Sequence, residues 1–203
     1  MDSNIKEEIL SFLSSTYSAP KDNQYSIYKD KDKWIVDVSQ RLTVSNYDIQ
    51  YLTNGLFEFG VVNGYFDCSD CEKLESLNGA PKKVRGDFYC ENCINLKSLE
   101  GAPKEVKGSF SCRNCTNLES LEGAPKKIGG YFDCGDCEKL ESLEGAPEKI
   151  DGYFNCSSCN NLISLEGAPK EVNGYFDCSR CENLKSLEGA PKVIKGKFIH
   201  DDI

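Results

Sequence analysis

Apolar and polar residues alternate over short segments that recur along the chain. In the segment 131–135, Tyr-Phe-Asp-Cys-Gly, the alternation has the period of a half-buried strand, so Phe132 and Cys134 are expected to point inward. Apolar residues then follow at three-residue steps, and a Gly-Ala-Pro tripeptide breaks the chain before a stable helix could form. The pattern predicts a coil made of a short strand and an irregular return arc.

The same pattern recurs every 22 residues, in six copies. Each copy contains a CxxC pair, two leucines, a Gly-Ala-Pro tripeptide and a Val or Ile three residues after the proline. The cysteine pairs are Cys68/Cys71, Cys90/Cys93, Cys112/Cys115, Cys134/Cys137, Cys156/Cys159 and Cys178/Cys181. A fixed period of this length is typical of a solenoid, in which each unit buries its apolar face against its neighbours. We therefore predict a mainly β solenoid with a parallel sheet across residues 61–203, formed by six repeats and a partial seventh strand.

The first 60 residues lack this period, and we expect them to cap the solenoid, because an uncapped terminal coil would expose its core. Residues 4–16 place apolar side chains on one face of a short helix. The alternating segments 24–28 and 33–38 predict a hairpin, and residues 42–52 resemble a degenerate first repeat without cysteine. The alternative is that residues 1–60 form a separate binding domain.

At the other end of the repeats, the period places the single histidine, His200, at the position of an inward cysteine. We expect a tolerated end residue there and not a catalytic base. Lys195, Lys197, Asp201 and Asp202 put charges on what would be an open parallel edge, which discourages edge-to-edge pairing. A homodimer through this C-terminal edge is the alternative.

The string Phe-x-Cys-x-x-Cys-x-x-Leu-x-x-Leu, from Phe132 to Leu143, resembles the leucine-rich-repeat consensus with Phe and Cys at two leucine positions. The longer phrase, Leu-Glu-Gly-Ala-Pro-Lys-Lys-Val followed by Gly-Tyr-Phe-Asp-Cys, resembles repeats of uncharacterised phage and bacterial proteins. The resemblance covers residues 60–203 and departs from the commonest form by one extra residue before the Phe. It implies a concave parallel sheet and, if the chain is a phage protein, the capture or inhibition of a host protein such as a defence factor.

Three interpretations of the cysteines compete. The 18 residues between Cys71 and Cys90 are compatible with a Cys₄ zinc site. Disulfides within the pairs would need an oxidising compartment, for which the N-terminal sequence gives no signal. The third interpretation, which we favour, is reduced cysteine packed as a small apolar residue in two parallel ladders. A metal-binding or redox protein built on the CxxC array is the corresponding alternative function.

Composition narrows the classes of function. The 203 residues carry 24 Lys and Arg against 33 Asp and Glu, a net charge of −9, which argues against nucleic acid or an anionic membrane as the partner. No apolar stretch is long enough to span a bilayer, and we expect a cytoplasmic protein, in the host cytoplasm if it is phage-encoded. The sequence contains no phosphate-binding glycine loop and no nucleophile–base set, so we expect no enzymatic activity, no cofactor and no metal.

The outward strand residues differ among the repeats, whereas the inward residues hardly change. Since packing fixes the inward residues, only the outward ones can encode a partner. The candidate partner-binding residues are Tyr65, Asp67, Tyr89, Tyr131, Asp133, Tyr153, Asn155, Tyr175 and Asp177. Rigid aromatic area beside polar groups is typical of protein interfaces, and an acidic face would suit a protein partner with a basic patch. The alternative is a tyrosine ladder that only stabilises the sheet.

Overall fold

The computed structural model describes residues 2–19, 24–44 and 47–201, which form a β-solenoid of stacked 22-residue coils. The helix α1 (Asp2–Thr16) opens this part of the chain, as the apolar periodicity predicts. Its residues Ile9 and Leu13 are fully buried, so the apolar face of the helix packs on the core. Among the described residues, no helix has the length and apolar character needed to cross a bilayer.

Five strands precede the regular coils: β1 (Tyr17–Ser18), β2 (Tyr25–Asp30), β3 (Lys33–Val38), β4 (Leu42–Val44) and β5 (Phe57–Val62). The predicted hairpin is present as the antiparallel pair β2 and β3. β4 pairs in parallel with the first regular coil, with Leu42 opposite Phe66, so it occupies the strand position of a repeat. Residues 45–46 of the predicted degenerate repeat lie outside the described residues.

Each regular coil contributes one two-residue strand to the first sheet. These strands are β6 (Phe66–Asp67), β8 (Phe88–Tyr89), β10 (Phe110–Ser111), β12 (Phe132–Asp133), β14 (Phe154–Asn155), β16 (Phe176–Asp177) and β18 (Phe198–Ile199). The first sheet has the order β1-β4-β6-β8-β10-β12-β14-β16-β18 and is parallel except between β1 and β4. Every phenylalanine lies opposite the phenylalanine of the next coil, which confirms the predicted parallel stack.

A second set of short strands, which the apolar pattern does not predict, contains the Val or Ile that follows each Gly-Ala-Pro. These strands are β7 (Lys83–Val84), β9 (Glu105–Val106), β11 (Lys127–Ile128), β13 (Lys149–Ile150), β15 (Glu171–Val172) and β17 (Val193–Ile194). The first three join β5 and the hairpin in a second sheet of order β11-β9-β7-β5-β3-β2. The last three form a third sheet of order β13-β15-β17. The solenoid therefore has sheet structure on two sides of its core.

Two backbone positions make each coil turn. The residue before the second cysteine of each CxxC lies in the left-handed region, as at Asp136 with φ 59°, so both cysteines flanking the turn face the core. The glycine of each Gly-Ala-Pro has a positive φ, as at Gly145 with φ 93°. A Cβ at Gly145 would lie 2.5 Å from the carbonyl carbon of Leu121 in the preceding coil. The close approach of neighbouring coils therefore requires glycine there.

One apolar core runs along the stack from Ile9 to Leu184. The phenylalanine rings stack on one another at centroid distances near 5.3 Å, for example between Phe110 and Phe132. Tyr17 closes one end, where its ring packs edge-on against Phe59 at 5.5 Å. At the other end Phe198 is half-buried, so the core is best covered in the middle of the stack.

Candidate functional site

The outward residues of the first sheet include five half-buried tyrosines, which we call the tyrosine strip: Tyr65, Tyr89, Tyr131, Tyr153 and Tyr175. The rings of Tyr131 and Tyr153 are parallel with centroids 4.4 Å apart, and Tyr153 and Tyr175 stack in the same way at 4.5 Å. Tyr65 and Tyr89 form a tilted pair at 6.3 Å. The structure thus brings the predicted tyrosines together into two ring clusters on one face.

Between these two clusters, the third coil carries serines in place of larger outward residues. Ser109 and Ser111 are 8% and 1% exposed. The Ser111 hydroxyl donates to Glu91 Oε1 at 2.6 Å, and the backbone N–H of Ser109 donates to Asp87 Oδ1 at 2.7 Å. The other oxygen of Asp87 accepts from the Tyr89 hydroxyl at 2.9 Å. Asp87 and Glu91 were not among the predicted site residues, although the outward position of Asp87 directly before Phe88 was an available signal.

Two predicted site residues are not available to a partner. Asp133 and Asn155 are only 7% and 8% exposed, so the prediction that they face solvent is wrong. Coils stack about 4.8 Å apart, which brings side chains of one column into mutual contact. Asn155 Nδ2 donates to Asp133 Oδ1 at 3.0 Å, and the backbone N–H of Gly135 donates to the same oxygen at 2.9 Å. These side chains hold neighbouring coils together instead of presenting polar groups to solvent.

The remaining acidic candidates, Asp67 and Asp177, are half-buried and have a related structural role. Asp67 Oδ1 accepts the backbone N–H of Ser69 at 3.0 Å, and Asp177 Oδ1 accepts the backbone N–H of Ser179 at 2.9 Å. An aspartate that accepts from the residue two positions later forms an Asx turn, which directs the chain out of the strand. The recurrent Asp-Cys-Ser sequence was the signal for this turn. Because the acidic candidates have structural roles, the tyrosines are the main candidate binding residues left on this face.

The electrostatic surroundings of the strip are acidic. Burial, followed by interaction with carboxylates that include Asp133, raises the pKa of Tyr175, and burial likewise raises the pKa of Tyr131. The stacked hydroxyls are therefore neutral hydrogen-bonding groups at physiological pH. At the first coil, the Arg41 guanidinium lies over the Tyr65 ring, 5.9 Å from its centroid. The face thus already holds one cation against an aromatic ring.

The cysteines form two buried ladders whose thiols donate hydrogen bonds to backbone carbonyls of neighbouring coils. The second cysteine of a coil donates to the carbonyl of the first cysteine in the preceding coil, as Cys159 does to Cys134 at 3.2 Å. The first cysteine of four coils donates to a backbone carbonyl of the following coil, as Cys134 does to Asn155 at 3.3 Å. All 12 cysteines are buried and none is in a disulfide. This geometry matches the packing interpretation of the cysteines.

The same burial gives the thiols an environment that disfavours thiolate chemistry. Burial raises the pKa of Cys134 and Cys156 well above the ordinary value, and raises the pKa of Cys71 to about 12. Metal ligation and nucleophilic redox reactions both use the thiolate. Within the ranges that the structure describes, no three His, Cys, Asp or Glu side chains are grouped to hold a metal ion.

The histidine and the last strand lie at the predicted C-terminal edge. His200 is exposed, its ring lies 4.8 Å from that of Phe198, and its Nδ1 is 2.8 Å from the carbonyl oxygen of Asp201. Val193 and Ile199 are 44% and 36% exposed on the last strands. A homodimer through this edge stays a prediction.

Comparisons of the chain with protein-family models, with curated proteins and with solved protein structures give no match.

Proposed function

We propose that the protein is a non-catalytic binding module that recognises another protein through the tyrosine strip of its first sheet. The observation that carries this proposal is the stack of Tyr131, Tyr153 and Tyr175, whose parallel half-exposed rings offer a rigid aromatic surface. Stacked rings on a regular sheet have lost most of their conformational freedom before a partner arrives, which lowers the entropic cost of association.

The chemistry of the strip favours a partner with cationic side chains. The half-buried carboxylates Asp67, Asp87 and Asp177 lie in the outward columns beside the tyrosines. Arg41 over Tyr65 is an internal example of the contact that an arginine of the partner would make. Aromatic and arginine residues dominate the energetic centres of protein interfaces. A basic patch on the partner is therefore the complement that we propose.

The resemblance to repeats of phage and bacterial proteins suggests where to search for the partner. If the chain is phage-encoded, a host protein with a basic surface, such as a defence factor, is the partner class to test first. Inhibition would follow from occupation of that surface, since the tyrosine strip needs no catalytic group to block it. This step rests on analogy.

The experiment places a photo-crosslinking amino acid at Tyr153, identifies the crosslinked protein, and then measures the affinity of the purified pair. Tyr153→Ala is expected to weaken binding at least about thirtyfold, because truncation of an aromatic residue at an interface centre costs about 2 kcal/mol or more. The binding measurement is made well below the melting temperature, since the variant also loses two ring contacts.

Ile163→Ala is the matched control, because Ile163 is 60% exposed and lies outside the tyrosine strip. This variant is expected to bind like the unchanged protein. Normal binding by Tyr153→Ala together with loss of binding by Ile163→Ala would show that the partner docks on another face.

A further inference from the structure

Two rows of charge of opposite sign run along the stack on either side of the Gly-Ala-Pro corners. The corner has the sequence Glu-Gly-Ala-Pro-Lys in four of the six coils. Stacking of the coils therefore aligns the glutamates in an acidic row and the lysines in a basic row. The glutamates are Glu100, Glu122, Glu144, Glu166 and Glu188, and the lysines of the same corners are Lys104, Lys126, Lys170 and Lys192. All these residues are exposed.

The floor between the rows is apolar and recessed. An open groove of about 960 Å³ is bordered by Glu100 on one side and by Lys104 and Lys126 on the other. Its floor is formed by small residues of the tripeptides, among which Ala124 is 3% exposed. Small side chains leave the floor accessible to a flat approaching surface.

Most charges of these rows have no ion-pair partner within the described chain, Lys170 with Glu148 being the exception. None of the five glutamates of the acidic row, and neither Lys104 nor Lys126, takes part in an ion pair there. Backbone hydrogen bonds such as Leu99 N–H to Glu122 O at 2.9 Å hold consecutive corners in adjacent coils. Like charges in adjacent coils, about 5 Å apart, repel one another. A row of cations with the same spacing would relieve this repulsion.

The chain itself carries such a row, and symmetry brings the two together. Consider a second copy that faces the groove with the two-fold axis parallel to the stack. This rotation exchanges the two sides of the groove and keeps each coil at its own height. Glu100 then faces Lys104 of the second copy, Glu122 faces Lys126 of the second copy, and both contacts occur twice, as in an isologous interface. A two-fold axis across the stack would instead place lysine against lysine.

We infer that the Gly-Ala-Pro groove with its two charged rows is a self-association surface, and that its occupant is the same groove of a second copy of this chain. The opposite signs of the two rows select this two-fold arrangement, since a two-fold axis across the stack would pair rows of like charge and cause repulsion. The groove and the tyrosine strip are formed by different segments of each 22-residue repeat. The inference therefore does not depend on the proposed function.

One coil departs from the pattern and supplies a sensitive test. Glu148 occupies the lysine position, where it would face Glu144 of the second copy. Lys170 lies 2.9 Å from Glu148 and offsets part of this repulsion. Glu148→Lys is therefore expected to tighten the dimer roughly tenfold, because it converts two repulsive contacts into attractive ones. An unchanged dimer affinity in this variant would contradict the arrangement.

The main experiment measures mass by sedimentation equilibrium over micromolar concentrations and at two salt concentrations. The unchanged protein is expected to dimerise, more weakly at high salt. The double variants Lys104→Glu/Lys126→Glu and Glu100→Lys/Glu122→Lys are each expected to be monomeric. An equimolar mixture of the two is expected to form a heterodimer, because at the two substituted corners one copy then presents only glutamates and the other only lysines.

Lys139→Glu/Lys185→Glu is the matched control, since it makes the same charge change at exposed residues away from the groove. It is expected to dimerise normally, as is Tyr153→Ala. A monomeric unchanged protein would overturn the inference. So would a dimer that survives both charge reversals and is lost on Ile199→Lys, because that result would place the contact at the C-terminal edge.

Discussion

Cysteine is selected in this fold for size and for a weak hydrogen bond. Each inward cysteine lies in sequence between the Phe and the Leu positions of its coil and is buried in the same core. The thiol also donates to a carbonyl of a neighbouring coil, as Cys115 does to Cys90 at 3.1 Å. A thiol is a weak donor that costs little to bury, unlike a hydroxyl or a charge. This explains how 12 cysteines can be reduced and structural at the same time.

Removal of one thiol is therefore expected to act through packing. Cys134→Ala should lower the free energy of unfolding by about 1–2 kcal/mol, because it leaves a small void and deletes one weak hydrogen bond. Urea unfolding under reducing conditions measures this change. Lys139→Ala, at an exposed position of the same coil, is the control and should change stability by less than about 0.5 kcal/mol. A chelator that lowered the melting temperature would contradict the packing role.

At this scale, the sequence predicted which residues point inward but not how far the outward ones are covered. Alternation distinguishes the two faces of a strand, and Phe132 and Cys134 are buried as expected. It gives no information on contact within a column, which decides the burial of Asp133 and Asn155. That contact depends on the spacing of coils in three dimensions and on the identity of the residue 22 positions away.

The repeating structural unit of this molecule is the coil, and backbone geometry determines the position of its corners. The Gly-Ala-Pro corner passes so close to the preceding coil that side chains are excluded at the glycine. The proline that follows fixes its own φ and begins the return strand. The strands of the regular coils contain two residues each, so their stability comes from stacking and not from their length.

Gly145→Ala is expected to destabilise the protein by about 2 kcal/mol or more. The glycine has φ 93°, which L-residues rarely adopt, and a Cβ would lie 2.5 Å from the backbone of Leu121. Thermal and urea unfolding measure the loss. Glu141→Ala, at an exposed position of the same coil, should leave stability nearly unchanged. Equal stability of the two variants would mean that the coils can separate at this corner without cost.

The helix, the hairpin and the strands of the first sheet were predictable because each has a periodic apolar pattern. The short strands that follow the Gly-Ala-Pro corners, β7, β9, β11, β13, β15 and β17, were not predictable in this way. A strand such as Lys149–Ile150 contains one inward residue, and a single apolar residue has no period. Its extended conformation follows from pairing with the next coil, which becomes visible only when the coils are stacked.

The whole molecule behaves as a stack in which each coil contacts its neighbours. Its apolar core continues from the N-terminal helix into the last coils, and charge is distributed by column. The tyrosine strip lies on the first sheet, and the charged rows lie at the Gly-Ala-Pro corners. The surface proposed for a partner protein and the surface inferred for self-association therefore lie at different positions of the coil, so each can be changed without changing the other.

Buried thiols make the whole stack sensitive to alkaline pH. Burial is the largest cause that raises the pKa of eight cysteines above the ordinary value of 9.0, and among these Cys71, Cys178 and Cys181 are raised to about 12. A hydrogen bond with Cys112, followed by burial, raises the pKa of Cys137. In the unfolded chain these thiols ionise near pH 9, whereas in the folded chain they keep their protons. The unfolded state then binds fewer protons, so the stability present below about pH 9 falls as pH rises, by up to about 1.4 kcal/mol per pH unit for each thiol.

We therefore expect the free energy of unfolding, measured with urea under reducing conditions, to be nearly constant just below pH 9 and to fall steeply between about pH 9 and pH 11. The variant Cys134→Ala/Cys156→Ala provides the comparison, because it removes two of the buried thiols. Its free energy of unfolding at neutral pH should be lower. Above pH 9, however, that free energy should fall less steeply with pH, by the contribution of about two protons. Equal slopes for the two proteins, or a stability that does not change up to pH 11, would contradict the raised pKa values. The thiols would then ionise as readily in the folded chain as in the unfolded one, or be ionised there already, as metal-bound cysteines would be.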